Sequence, residues 1–121
     1  MSIPPINVSF GYKHLLKTAF KEDRLPIIHD FYDGSILSKD TVTIEHLQPH
    51  SKGGKTTLSN IVLTSLFNNM KRGNKDIRDF IDIENAKKYI EDVRKINIKG
   101  INGESYAQSL INRLKSLGVK L

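Results

Sequence analysis

Apolar residues recur with helical spacing at both ends of the chain and with strand-like spacing in its middle. After Ser9, a candidate helix cap, apolar positions fall three and four residues apart as far as Asp23 or Arg24. These positions are Tyr12, Leu15, Leu16, Ala19 and Phe20. Pro26 argues against a longer helix. The pattern therefore predicts an N-terminal helix, preceded by an irregular arm over residues 1–8.

The middle of the chain has the β-branched and alternating character of strands. Residues 25–32 are apolar and partly β-branched, and residues 41–47 alternate between apolar and polar side chains. Turn-forming residues, including Gly34, separate the two runs. We expect one or two hairpins over about residues 27–47, the last strand ending at Glu45 and His46.

A polar, cationic loop follows the predicted hairpins. Residues 48–57 are rich in proline, glycine and serine, which favour turns. Ser59 or Asn60 is a suitable cap for a following helix, whose buried side residues 61–67 would supply. Gly73 is suited to ending that helix.

Two amphipathic stretches close the chain. Asp82 is a candidate cap for the first and Ser105 for the second, which Gly118 ends. The first stripe consists of Ala86, Tyr89, Ile90 and Val93, and the second of Tyr106, Leu110, Ile111, Leu114 and Leu117. We expect one α+β domain over residues 1–121, with a core motif at about 27–75 and a helical extension at about 78–121.

Composition narrows the class of protein. The chain has 121 residues, of which 38% are hydrophobic and 26% charged, as in ordinary globular domains. Its start lacks the features of a signal peptide and no apolar run has the length of a membrane span, so we expect a cytoplasmic protein. The absence of cysteine excludes disulfides and thiolate zinc sites. A net charge of +6 favours a polyanionic partner, most simply nucleic acid.

The most informative stretch runs from Thr43 to Gly73. It contains an acid beside a histidine, a Pro-x-Ser-x-Gly-Gly turn, a middle asparagine, and a last asparagine before Lys-Arg-Gly. These features are Glu45, His46, Pro49, Ser51, Gly53, Gly54, Asn60, Asn69, Lys71, Arg72 and Gly73. Their order and spacing resemble the motif of the HNH endonucleases, the ββα-metal nucleases. The resemblance implies a ββα-metal core, here with one helix before it and two after it.

The resemblance also implies roles for individual residues. His46 would be the general base that activates water, through a free Nε2, and Asn60 would hold the loop and orient the His46 ring. Glu45 and Asn69 would hold a divalent metal, and this oxygen-only set suits Mg²⁺ or Mn²⁺. Asn68 is an adjacent alternative to Asn69. His50 is either an accessory phosphate-binding group or an ordinary loop histidine.

Many relatives in that family carry two pairs of zinc-binding cysteines around the motif. The corresponding positions here are Asp30 and Asp33, then Ser65 and Asn68, so the resemblance predicts no structural zinc. The two aspartates would then either form a turn or supply a further ligand to the metal.

The cations of the motif suggest the partner. Lys52, Lys55, Lys71, Arg72 and Lys75 are candidate phosphate contacts, in a stretch that has no acidic residue. The resemblance implies a metal-dependent endonuclease that acts on double-stranded DNA. A degenerate HNH fold that binds nucleic acid without cutting it, and a nuclease directed at RNA, are the alternatives. One such site cuts one strand, so a double-strand break would require a homodimer or two encounters.

Overall fold

The computed structural model describes residues 8–121, with side chains from residue 11 onward, and shows an α+β protein. Five helices and two small antiparallel sheets lie within these residues. The helices are α1 (Val8–Lys21), α2 (Leu66–Arg72), α3 (Ile77–Phe80), α4 (Ile83–Arg94) and α5 (Gly103–Ser116). The strands are β1 (Val42–His46), β2 (Ile61–Ser65), β3 (Asn97–Ile98) and β4 (Ile101–Asn102). None of the described helices is long and apolar enough to cross a bilayer.

The predicted N-terminal helix is present as α1 and ends at Lys21, close to the expected boundary. Ser9 lies inside α1, and its side chain, like most of the predicted arm over residues 1–8, falls outside the described residues. Leu16 and Ala19 on α1 are fully buried, and α1 packs against β1. The helix therefore covers one side of the hairpin that carries the motif.

The main hairpin is formed by β1 and β2, which pair antiparallel with His46 opposite Ile61 and Glu45 opposite Val62. The predicted strand over residues 25–32 is wrong, because this segment makes only a single bridge, between His29 and Ile36. The prediction that residues 27–47 form complete hairpins is also wrong, since the partner of β1 lies 15 residues beyond His46 at its nearest pair.

The segment after the loop is a strand followed by a helix. The expected helix cap at Ser59 or Asn60 is wrong, because residues 61–65 form β2 and α2 starts only at Leu66. Ser65 is the actual cap: its side chain accepts a hydrogen bond from the Asn68 N–H. A short run of β-branched residues fits a pleated strand as well as a helix, and pairing with β1 decides between them.

The C-terminal extension follows the predicted pattern closely. Asp82 caps α4, whose buried side is the predicted stripe. The second cap is Asn102 and not Ser105, whose N–H donates to the Asn102 side chain. A small hairpin, β3–β4, joins α4 to α5 and was not expected. Gly118 follows the end of α5 with a φ of +85°, the left-handed conformation typical of a helix end.

The outer edge of β2 is covered by groups from distant segments. The Leu63 N–H donates to the Tyr89 hydroxyl at 2.8 Å, and the Tyr106 hydroxyl donates to the Ile61 carbonyl at 2.6 Å. The Phe31 N–H donates to the Leu63 carbonyl at 3.2 Å. Helices α4 and α5 therefore hold β2 in place by these hydrogen bonds as well as by apolar packing. Because β2 pairs with β1, they also hold the motif in place.

Candidate functional site

The predicted site residues lie around the end of β1. Glu45 and His46 are its last two residues, and a 14-residue loop (residues 47–60) connects it to β2. Helix α2 follows β2 directly and turns one side toward β1. Three separate segments therefore meet at one end of the hairpin: the strand, the loop and the helix.

Asn60 holds the loop by its side chain. Its Nδ2 donates to the carbonyls of Gln48 and Lys55 at 3.0 and 2.9 Å, and its Oδ1 accepts from the Gln48 N–H at 2.8 Å. Gly54 lies against this arrangement, since a Cβ there would be 1.7 Å from the Gln48 carbonyl oxygen. The loop is thus built around a buried amide, and the Gln48 backbone leaves no room for a side chain at Gly54.

His46 is half-buried, and Thr56 contacts its ring directly. The His46 Nε2 lies 2.8 Å from the Thr56 Oγ1, so this nitrogen is hydrogen-bonded and the expectation of a free Nε2 is wrong. Asn60 makes no hydrogen bond to the ring among the described residues, so the ring is oriented by Thr56 and not by Asn60. Sequence reasoning missed Thr56, because a threonine in a polar loop has no distinguishing spacing.

His50 shares the same hydroxyl. Its Nε2 lies 3.2 Å from the Thr56 Oγ1, and its ring centroid is 4.3 Å from that of His46. Burial, the nearby His50 and Lys13 together lower the pKa of His46 to about 4. His46 is therefore neutral near pH 7 and able to accept a proton.

Glu45 is buried, and both of its carboxylate oxygens accept hydrogen bonds. Its Oε2 accepts from the Tyr32 hydroxyl at 2.8 Å and lies 3.6 Å from the Arg72 Nη1, while its Oε1 accepts from the His46 N–H at 2.9 Å. Burial raises the pKa of Glu45 above its ordinary value, although Tyr32 and Arg72 oppose the rise. Glu45 is only 5% exposed, so its carboxylate does not face solvent.

The prediction that Arg72 contacts phosphate is wrong, because the residue is buried. It is 1% exposed, and its guanidinium donates to the carbonyls of His46, Leu47 and Lys75 at 2.6, 2.9 and 2.8 Å. A group held in this way cannot reach a phosphate on the surface. Arg72 instead joins the last turn of α2 to the end of β1.

Asn69 and Asn68 face different partners. The Asn69 Nδ2 donates to the Ile44 carbonyl at 3.1 Å, on the side of α2 that also carries Arg72. Its Oδ1 has no hydrogen-bond partner among the described residues. The Asn68 Nδ2 donates to Asp30 and Asp33 at 3.1 and 2.8 Å. Asn69, and not Asn68, is therefore the asparagine that α2 presents to β1.

The four positions that the resemblance matches to zinc-binding cysteines, Asp30, Asp33, Ser65 and Asn68, form a hydrogen-bonded cluster. Asp30 is buried and accepts from the Tyr32 and Ser65 N–H groups, the Thr64 hydroxyl and the Asn68 amide, at 2.7–3.1 Å. These four bonds use the acceptor capacity of the carboxylate, so Asp30 is not available to a metal. The described residues contain no group of three or more His, Asp or Glu side chains placed to hold a metal ion.

The four lysines of the motif are exposed, as a phosphate contact requires. They are Lys52, Lys55, Lys71 and Lys75. None takes part in the ion pairs found among residues 11–121. Because no acidic residue occurs between Glu45 and Asp76, their charge has no neighbour in the motif to offset it.

Comparison with known proteins finds no family model that matches the chain and no matching curated protein. Function must therefore be inferred from the residues of the site and their geometry.

Proposed function

We propose that the protein is an HNH-type, metal-dependent endonuclease that hydrolyses phosphodiester bonds of DNA. The observation that carries the proposal is the meeting of three segments at the end of β1. His46 comes from the strand, Asn60 holds the loop that contacts the His46 ring, and Asn69 comes from the helix that follows the hairpin. The resemblance implies a strand–strand–helix core, and this order of segments supports the proposal.

In the proposed reaction His46 takes a proton from the attacking water at Nδ1, because Nε2 is hydrogen-bonded to Thr56. A base must be unprotonated before it acts, and the lowered pKa of His46 satisfies this condition near neutral pH. Thr56 fixes the direction of the ring by its contact with Nε2, and His50 lies beside the same hydroxyl. The neighbouring exposed lysines would hold the phosphate backbone in place.

The donor chemistry of the site fits a hard divalent cation. The Asn69 Oδ1 is not used by the described residues, and the Glu45 Oε1 accepts one hydrogen bond where it has capacity for two, whereas Oε2 already faces both Tyr32 and Arg72. Glu45 and Asn69 would hold Mg²⁺ or Mn²⁺. When bound, such an ion neutralises charge on the phosphate and on the leaving oxygen.

The test is nicking of supercoiled plasmid DNA in the presence of Mg²⁺. We expect the wild-type chain to convert supercoiled plasmid to the nicked form, and His46→Ala to lose this activity while retaining DNA binding. His14→Ala is the matched control, because His14 is an exposed histidine on α1. Equal nicking by the wild type and His46→Ala would contradict the proposal. Competition between duplex DNA and RNA distinguishes the two substrates.

A binding module that does not cut is the second candidate, and one observation favours it. Glu45 is buried against Arg72, whose positive charge opposes a divalent cation at the same carboxylate. For such a module, both the wild type and His46→Ala would bind DNA equally well without metal, and neither would nick it.

A further inference from the structure

The outward side of α2 carries large apolar side chains that nothing in the described fold covers. Leu66, Phe67 and Met70 are 52%, 71% and 72% exposed. Asn69 and Arg72 occupy the opposite side of the same helix, where they contact β1. One seven-residue helix therefore joins the candidate site on one side to an exposed apolar surface on the other. We call Leu66, Phe67 and Met70 the α2 outer face.

A cation lies beside the α2 outer face and a second one lies near it. The Lys71 Nζ is 5.9 Å from the centre of the Phe67 ring, and Lys75, beyond the end of α2, donates to the Lys71 carbonyl. The whole stretch from His46 to Lys75 lacks acidic residues. A second copy of this chain would bring like charges together at such a contact, whereas a polyanion would be attracted. Charge complementarity therefore favours nucleic acid as the partner of this surface.

We propose that Phe67 and Met70 insert between neighbouring base pairs of duplex DNA from the minor groove, while Lys71 holds the adjacent phosphate. The inference rests on the proposed function and extends it to the way in which DNA is engaged. Apolar wedges of this kind partly unstack a base step and bend the duplex toward the major groove. The cost of unstacking is offset by the additional surface that the bent DNA buries.

With a wedge on α2, the affinity for DNA would depend on how easily the duplex deforms at the binding site. Steps that unstack easily, such as TA and CA, or a mismatched pair, cost less to open than a stiff A-tract. The protein should therefore prefer deformable sites without reading bases by hydrogen bonds. Because the wedge and Asn69 lie on opposite sides of α2, unstacking would take place about one helix width from the candidate catalytic site.

The direct test is fluorescence from 2-aminopurine placed in a 20–30 bp duplex at a TA step. The measurement uses the full chain with EDTA, so that no cleavage is needed. We expect wild-type binding to raise the fluorescence, because the base loses its stacking. The double variant Phe67→Ala/Met70→Ala should lose this rise, and its Kd should increase by about 5- to 100-fold, the range that base–side-chain stacking implies.

Two controls separate a wedge from general effects. Ile36→Ala removes an equally exposed apolar side chain (77% exposed) from a different segment, and should leave the signal unchanged. Lys71→Gln should reduce the salt dependence of binding but retain the fluorescence rise at saturation. Because the truncated side chains are exposed, thermal unfolding of the double variant should match that of the wild type.

The possible outcomes are distinct. The wedge proposal would be overturned by any of three results: no binding to the duplex, binding without a fluorescence rise, or the same fluorescence rise and Kd in the double variant as in the wild type. A change from dimer to monomer in the double variant, seen by sedimentation, would instead identify the α2 outer face as a contact between copies. If the protein unstacks the base but does not nick plasmid, the wedge proposal is supported and the nuclease proposal is contradicted. If it nicks plasmid without unstacking the base, the nuclease proposal is supported and the wedge proposal is contradicted.

Discussion

Lys71 and Arg72 are adjacent and carry the same charge, yet they have different roles. Lys71 is exposed beside the Phe67 ring, whereas Arg72 is buried against Glu45 and backbone carbonyls. At a position that turns toward a strand end, the planar guanidinium can donate to several carbonyls at once, which a lysine ammonium does less well. Position on the helix, and not charge, decides which residue is available to a partner.

We expect Arg72→Met to be strongly destabilising, because it removes one member of a buried ion pair and leaves Glu45 uncompensated. Loss of such a partner costs about 3–5 kcal/mol, whereas Lys71→Met should change stability by less than about 0.5 kcal/mol. Urea denaturation of the two variants measures the difference. Glu45→Gln added to Arg72→Met should recover part of the loss; no recovery would show that the carbonyl contacts dominate.

The pKa of His46 predicts a pH dependence of folding stability. It is about 4 in the folded protein against an ordinary value of 6.5, so the unfolded chain binds more protons between these pH values. Stability due to this group should therefore fall as the pH is lowered from 6.5 to 4. His46→Gln should flatten the dependence in that window, and His14→Gln should not. Denaturation midpoints at several pH values provide the measurement.

At the scale of elements, the loop between β1 and β2, which Asn60 holds by hydrogen bonds, passes close to its own backbone at Gly54. A Cβ at Gly54 would lie 1.7 Å from the Gln48 carbonyl, whereas one at Gly53 would meet nothing within 4 Å. The loop positions Thr56 against His46, so its displacement would disturb the ring as well as the fold.

We expect Gly54→Ala to destabilise the protein by about 1–3 kcal/mol, the usual cost of forcing atoms into a packed site. Gly53→Ala is the matched control. It should cost only about 1 kcal/mol, for its φ of +88°. Plasmid nicking should fall much further in Gly54→Ala than in Gly53→Ala under conditions where both are folded. Equal nicking by the two variants would show that the loop does not position the site.

Local patterns predicted α1 and α4 well and β2 badly, for physical reasons. Asp82 and the apolar stripe of α4 act within a few residues, so the sequence alone reports them. Residues 61–63 are apolar and buried, and Thr64 is buried beside them, a run that a strand and a buried helix share until the pairing partner is known. Motif spacing predicted which residues form the candidate site, and Tyr32 and Thr56 were missed because they reach Glu45 and His46 from 13 and 10 residues away along the chain.

For the whole molecule, the distribution of charge predicts how DNA binding responds to salt. Each phosphate contact contributes about 0.9 to the magnitude of the slope of log K against log salt. Lys52→Gln, Lys55→Gln and Lys71→Gln should each reduce that magnitude by up to about 0.9. Lys99→Gln is the control, because Lys99 is exposed but outside the motif. Filter binding at 50–200 mM salt would show whether the slopes differ.

The covered edge of β2 has a consequence for how the chain behaves in solution. Tyr89, Tyr106 and Phe31 occupy hydrogen-bonding groups that an open strand would offer to another molecule. The hairpin therefore cannot add a third strand along β2. A variant truncated before α4 would lack Tyr89 and Tyr106, so their partners on the β2 edge would be exposed. We expect such a variant to form insoluble β-rich aggregates and not a smaller folded domain.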